Sequence, residues 1–227
     1  MEIPSDETRP PVGRRQQNKE KRRGAIIQLA MRSFLEHGFE GTSMSAIATA
    51  MGGSKGTLWS YFGSKEELLA AVIETVSSKF QAFMASVLDP KRNVREVLTN
   101  FCETYIARIS MPDAIAIQRL VLSQAGRLPE VGRIFYDRAP AVNHAALTKY
   151  FAALMTAGVI REDDPEDAAR MLLDMCTGGY HDLVLWGVGT VDATVERREA
   201  ARVVRQFLRC YSIAPAADER LKRKRRS

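Results

Sequence analysis

The sequence predicts an all-α protein, and three observations carry that prediction. Apolar residues recur along nearly the whole chain with a helical period; Ile27, Ala30, Met31 and Phe34, for example, fall at i, i+3, i+4 and i+7. No stretch alternates apolar and polar residues between hairpin turns, as a half-buried strand would. Glycine and proline stand where the periodic segments begin and end, at Gly38, Gly63, Pro90, Gly158 and Pro165.

Nine helices follow, with three short ones in front. The first runs from Lys19 to His37, and Gly38 is placed for a left-handed C-terminal cap with Phe39 folding back over the last turn. Met44 to Met51 forms the second, with Thr42 and Ser43 as candidate caps. Gly52 and Gly53 interrupt, and Ser54 is placed to cap a third helix reaching about Phe62. Ser64-Lys65-Glu66-Glu67 reads as a capping box opening a long fourth helix that Pro90 ends. Five more are expected at about 92–109, 113–124, 129–157, 165–187 and 194–211. Pro140 kinks or splits the third of these, whereas Asp164 before Pro165 gives an N-cap followed by proline at the first helical position.

Composition narrows the class. The 227 residues are 45% hydrophobic and 26% charged, as in a soluble globular protein, and the net charge of +6 favours an anionic partner such as nucleic acid or a membrane surface. Arg14, Arg15, Lys19, Lys21, Arg22 and Arg23 crowd the segment just before the first apolar pattern, and a second basic cluster runs from Arg220 to Arg226. Cys102, Cys176 and Cys210 are too widely spaced for a disulfide framework or a zinc site. The polar stretch from Met1 to Gly13 lacks the apolar region of a signal peptide, and no run approaches the ~18 apolar residues of a membrane span, so a cytoplasmic protein without a membrane partner is expected. There is no P-loop, dinucleotide fingerprint, metal-ligand spacing or nucleophile elbow, and His37, His144 and His181 lie on separate helices. The sequence therefore points away from an enzyme, a metal or a cofactor.

Two short amphipathic helices joined by a glycine-containing turn are the anatomy of a helix-turn-helix, whose second helix lies in the DNA major groove. Wound at 100° per residue from Lys55, the third helix groups Leu58, Tyr61 and Phe62 on one side and points Gly56, Thr57, Trp59 and Ser60 away. Ser54 and Lys55 stand at its N-terminal mouth, where backbone N–H groups suit a phosphate. Gly56 lets the backbone approach the duplex, Thr57 suits a base edge, and Trp59 suits the sugar-phosphate backbone. Tyr61 is divided between a core ring and a phosphate-facing hydroxyl. Thr42, Ser43 and Lys65 complete the candidate DNA contacts.

The run Gly38-Phe39-Glu40-Gly41-Thr42-Ser43-Met44-Ser45-Ala46-Ile47-Ala48, followed by Ser54-Lys55-Gly56-Thr57-Leu58-Trp59-Ser60-Tyr61-Phe62-Gly63-Ser64-Lys65-Glu66-Glu67-Leu68, resembles the TetR-family DNA-binding domain over about residues 20–70. Trp59 departs from the tyrosine more usual there, and Gly63 from a proline or charged residue. The stretch from Arg119-Leu120-Val121 to Phe135-Tyr136 resembles one subset of these regulators more weakly.

The resemblance implies C-terminal helices that form a dimer interface and enclose a small-molecule pocket. The residues agree on the first point: Leu172, Met175, Cys176, Leu183 and Trp186, and then Val204, Phe207, Leu208 and Tyr211, are wider than one core-facing stripe. Gly178 and Gly179 read either as a close helix approach or as a local irregularity, and with Val204, Phe207, Leu208 and Tyr211 they form the candidate dimer contacts. Phe101, Tyr105, Met111, Phe135, Tyr150, Phe151, Tyr180, His181 and Trp186 line a cavity or simply fill a core. The expected organisation is a disordered basic arm (1–18), a helix-turn-helix domain (19–66), a ligand-binding and dimerisation domain (67–213) and a disordered basic tail (214–227). The expected function is a homodimeric repressor released from a palindromic double-stranded operator by a small hydrophobic ligand. A helix-turn-helix protein without ligand control, nucleoid-type or activating, is the alternative.

Overall fold

The computed structural model of the protein describes residues 13–52, 55–190 and 192–212. Eleven helices and no strand occur among them: α1 (Arg14–Gly41), α2 (Met44–Ala50), α3 (Lys55–Trp59), α4 (Lys65–Val87), α5 (Val94–Ser110), α6 (Pro112–Gln124), α7 (Pro129–Arg138), α8 (Pro140–Thr156), α9 (Pro165–Thr177), α10 (Tyr180–Leu185) and α11 (Ala193–Tyr211). The basic segment from Arg14 onward is thus the first turns of α1 rather than part of an arm. Residues 1–12, the basic tail from 213 and the capping position Ser54 lie outside the described residues.

Two helices more than expected arise at two breaks. Pro140 divides the predicted 129–157 helix, ending α7 at Arg138 and taking the first position of α8. At Gly178-Gly179 the chain leaves the helix altogether: Gly178 is extended (φ −68°, ψ 140°) and Gly179 has φ 89°. A left-handed residue cannot continue an α-helix, so the glycines end α9 and do not mediate a close approach at mid-helix.

The chain packs as two units that divide inside α4, between Val72 and Ile73. In the first, Ile26, Ala30 and Phe34 of α1, Ile47 of α2, Leu58 of α3, Phe62, and Leu68, Leu69 and Val72 of α4 are buried. Gly38 interrupts α1 with φ 76° and turns Phe39 back to stack on Phe34, ring centroids 5.6 Å apart. Ser43 caps α2 by accepting from the Ala46 N–H. Ser64 Oγ accepts from the Glu67 N–H at 3.0 Å, while the Glu67 carboxylate takes the N–H of Gly63 rather than that of Ser64.

In the second unit α5 lies among α9, α10 and α11, and α8 packs on α9. Its core is rich in rings, with Phe101 on Tyr105, Phe151 on Phe207 and Phe207 on Tyr211 at centroid separations of 5.6, 5.0 and 4.6 Å. Asp164 followed by Pro165 caps α9, as the sequence marks, while Asn93 caps α5 and Asp192 caps α11, two caps the sequence reading missed. By length and composition α4 is apolar enough to cross a membrane, against the reading of the sequence. Its Phe80 and Met84 are buried in the core of the second unit, which accounts for that apolarity.

Two glycines of α1 should respond oppositely to substitution. Gly38→Ala forces a side chain into a positive-φ conformation and should cost about 1–3 kcal/mol. Gly24→Ala, helical and with open space around the added methyl, should stabilise by up to about 1 kcal/mol. Urea unfolding of the two variants checks the contrast.

Candidate nucleic-acid interface and ligand cavity

The first unit presents a small exposed edge on a buried base. Leu58 and Phe62 are buried, and the guanidinium of Arg23 lies 5.1 Å from the Phe62 ring centroid. On the other side Trp59 is 50% exposed, with Gly56 and Ser60 exposed and Thr57 and Tyr61 half-buried. Ser60 Oγ donates to the Thr57 carbonyl at 2.7 Å, which locks the hydroxyl against the helix. Helical bonding continues past Trp59, since Ser60 N–H donates to Gly56 and Phe62 N–H to Leu58. With five residues, α3 carries little macrodipole, so its outward side chains rather than its N-terminus offer the contacts.

Two expected phosphate contacts have other tasks. Thr42 is 2% exposed, and its hydroxyl donates to the Gly38 carbonyl at 2.8 Å and meets Ser33 Oγ at 3.2 Å. It closes the turn after Gly38 from inside. Lys65 Nζ donates to the carbonyls of Phe39 (2.7 Å) and Thr42 (3.1 Å) and sits 4.4 Å above the Phe39 ring. Those carbonyls follow the helix break, where acceptors are left over and a cation is favoured. Ser43 is exposed, although its Oγ is engaged as the α2 cap.

In the second unit, α4 to α9 enclose a cavity of about 530 Å³. Ile73, Val76 and Phe80, Tyr105 and Ile109, Ile117, Phe135, Pro140 and Leu173 supply most of its apolar wall, and Arg108, Gln118, Asn143, His144, Arg170 and Asp174 its polar groups. Arg108 bridges both carboxylate oxygens of Asp113 and donates to the Val76 carbonyl at 2.6 Å. Gln118 donates to the Ile109 and Ala114 carbonyls, and its Oε1 lies 3.0 Å from Nε2 of His181.

Of the expected cavity residues, Tyr105 and Phe135 line it, and His181 reaches it only through Gln118. Phe101 and Phe151 are fully buried core residues, and Tyr150 is buried beside Phe151. Met111 and Trp186 are exposed, Trp186 at 69%, and do not line this cavity. Tyr180 Oη is held between the Thr190 carbonyl and the Asp192 N–H, beside a shallow groove between α9–α10 and α11. Val204, Phe207, Leu208 and Tyr211 are buried in their own unit, which removes them as dimer contacts and explains the wide apolar stripe of α11. Gly178 and Gly179 line the groove.

Residues 26–72 match the model of bacterial regulatory proteins of the tetR family, and residues 96–213 that of the AefR-like transcriptional repressor C-terminal domain. The chain is 27% identical over 113 residues to the transcriptional repressor NicS of Pseudomonas putida, covering 48% of this chain and 53% of that protein, about half its length. Among solved structures it is similar to a TetR-family transcriptional regulator from Mesorhizobium loti (27% identity, TM-score 0.73, 86% of this chain and 98% of that one). The flavonoid-responsive regulator FrrA is comparable, at 28% identity and TM-score 0.72, with 86% and 100% covered.

Lys65→Ala should lower stability by about 2 kcal/mol in urea unfolding, the worth of charged hydrogen bonds, while leaving the salt dependence of DNA binding unchanged. Burial holds the His181 pKa below its usual value near 6.5, with Asp182 pulling weakly the other way. The folded state therefore binds fewer protons than the unfolded chain, so this contribution is present above pH 6.5 and is lost as pH falls below it. Melting temperatures between pH 7 and about 5.5 should fall more in the parent protein than in His181→Gln, which keeps a donor but cannot titrate.

Proposed function

Because this chain belongs to the TetR family of transcriptional regulators, we propose that it is a homodimeric repressor whose two α3 helices read a palindromic operator and whose cavity takes a small hydrophobic effector. The observation that carries the reading is the exposed edge of Gly56, Trp59 and Ser60 standing on buried Leu58 and Phe62. On this five-residue helix the half-exposed tryptophan stands beside an exposed glycine and serine, a low polar and aromatic edge that suits a groove of DNA. Trp59 packs on the sugar-phosphate backbone, Thr57 meets a base edge, and Tyr61 directs its hydroxyl to a phosphate. Lys55 and the exposed Ser43 flank this edge.

Dimerisation is assigned to the groove formed by Met175, Gly178, Gly179, Leu183 and Val195, flanked by Arg198 and by Glu199 paired with Arg202. Exposed Leu183, Trp186 and Val188 extend its apolar surface. A two-fold copy covers such a patch and spaces the recognition helices at about 34–36 Å, one turn of DNA.

Effector control follows from α4, which begins at Lys65 in the reading unit and contributes Ile73, Val76, Ser77 and Phe80 to the cavity wall. A ligand that binds better when this helix is displaced shifts the population away from the DNA-competent spacing. The solved neighbour FrrA is a flavonoid-responsive regulator, which supports a small-molecule effector here.

Thr57→Ala should relax sequence preference at one operator position, and Trp59→Ala should weaken binding to the same duplex by about 10-fold or more, both read by fluorescence anisotropy. Leu183→Asp should sediment as a folded monomer and lose operator affinity. A folded Leu183→Asp dimer would move the interface elsewhere.

A further inference from the structure

The reading of the cavity as an effector site has a chemical consequence at Asn143. This side chain, on α8, is 8% exposed and lines the cavity, yet its Oδ1 has no hydrogen-bond partner. The unpaired group is a carbonyl acceptor beside an apolar wall, which disfavours burial until a donor meets it. A well-built cavity wall does not usually leave such an atom; a binding site does.

The charges around the cavity limit the rest of the molecule. Arg108 is a poor counter-ion for an acid, because Asp113 already neutralises its guanidinium and the Val76 carbonyl holds it. Arg170 pairs with Asp167 and is largely exposed, and His144 Nε2 lies against the Glu166 carbonyl. Glu166 and Asp174, also in the lining, repel an anion further. The walls themselves are aromatic, with Phe80, Tyr105 and Phe135 offering ring faces and edges.

We infer that the cavity selects an uncharged aromatic molecule bearing a hydroxyl that donates to Asn143 Oδ1. This rests on the effector reading but goes further, since it ranks aromatic acids and molecules that can only accept a hydrogen bond below those that carry a hydroxyl. A volume of about 530 Å³ accommodates two or more rings.

Three matched probes test it by calorimetry on the full-length protein: 4-benzylphenol, its methyl ether and 4-benzylbenzoate. The phenol should bind about 10-fold more tightly than the ether, and the benzoate more weakly than either. In Asn143→Leu the phenol and the ether should bind within about 2-fold of each other. Equal affinities in the parent protein, or a preference for the ether or the acid, overturn the inference; these parent measurements decide it even if the variant does not fold. Failure of all three to bind overturns it as well. DNA binding measured in parallel separates the two readings. Phenol preference without any effect on DNA keeps the ligand class and removes effector control, whereas release of DNA by all three probes alike keeps control and removes the role of Asn143.

Discussion

The ammonium of Lys65 holds the reading unit together at the point where three helices meet. Gly38 breaks α1 and leaves carbonyls behind it without helical partners; Lys65 collects two of them, Phe39 and Thr42, and covers the Phe39 ring. Thr42 closes the same turn from inside through Gly38 and Ser33, and the next residue, Ser43, caps α2. Lys65 is also the first residue of α4. One cation therefore fixes where α1 ends, where α2 begins and where α4 departs, and α3 is carried between the last two. With the frame set by interactions inside the unit, the outward residues of α3 are left for DNA.

The second unit divides its aromatic residues between two uses. Phe101, Phe151, Phe207 and Tyr211 are fully or almost fully buried and stack within the core, which provides rigidity rather than recognition. Phe80 and Tyr105 touch both that core and the cavity, so the wall facing a ligand is braced from behind. The polar groups of the wall are mostly held: Arg108 by Asp113, and Gln118 by two carbonyls and His181. Asn143 is the exception, and the selectivity of the cavity turns on it.

Much of this was legible in the residues. Helix starts were marked by side chains that satisfy orphan N–H groups at Ser43 and Asp164, while the caps Asn93 and Asp192 were passed over. The break at Gly38 and the return of Phe39 follow from glycine at the end of an apolar period. The break at Gly178-Gly179 was not decided, because paired glycines inside an apolar pattern suit either close packing or a turn. Thr42 and Lys65 looked like surface contacts since both are polar and flank the recognition helix; their true partners are backbone carbonyls, which a sequence does not display.

The cavity was legible only in part for a related reason. Periodicity identifies inward faces but does not distinguish a filled core from a void, so Phe101 and Tyr150 looked as suitable as Phe135. Arg108 and Gln118 were passed over as ordinary polar positions. Asn143 did carry a signal: it stands four residues before Leu147 and eight before Phe151, on the stripe that α8 buries. A polar side chain in register with a core face requires either a partner or a ligand.

The most direct measurement is selection of bound fragments from the source genome by the full-length protein at two salt concentrations. A dimer reading DNA through paired α3 helices enriches a palindrome with half-sites about one turn apart, and the preference persists at the higher salt. Binding that vanishes with salt and enriches no sequence would contradict it.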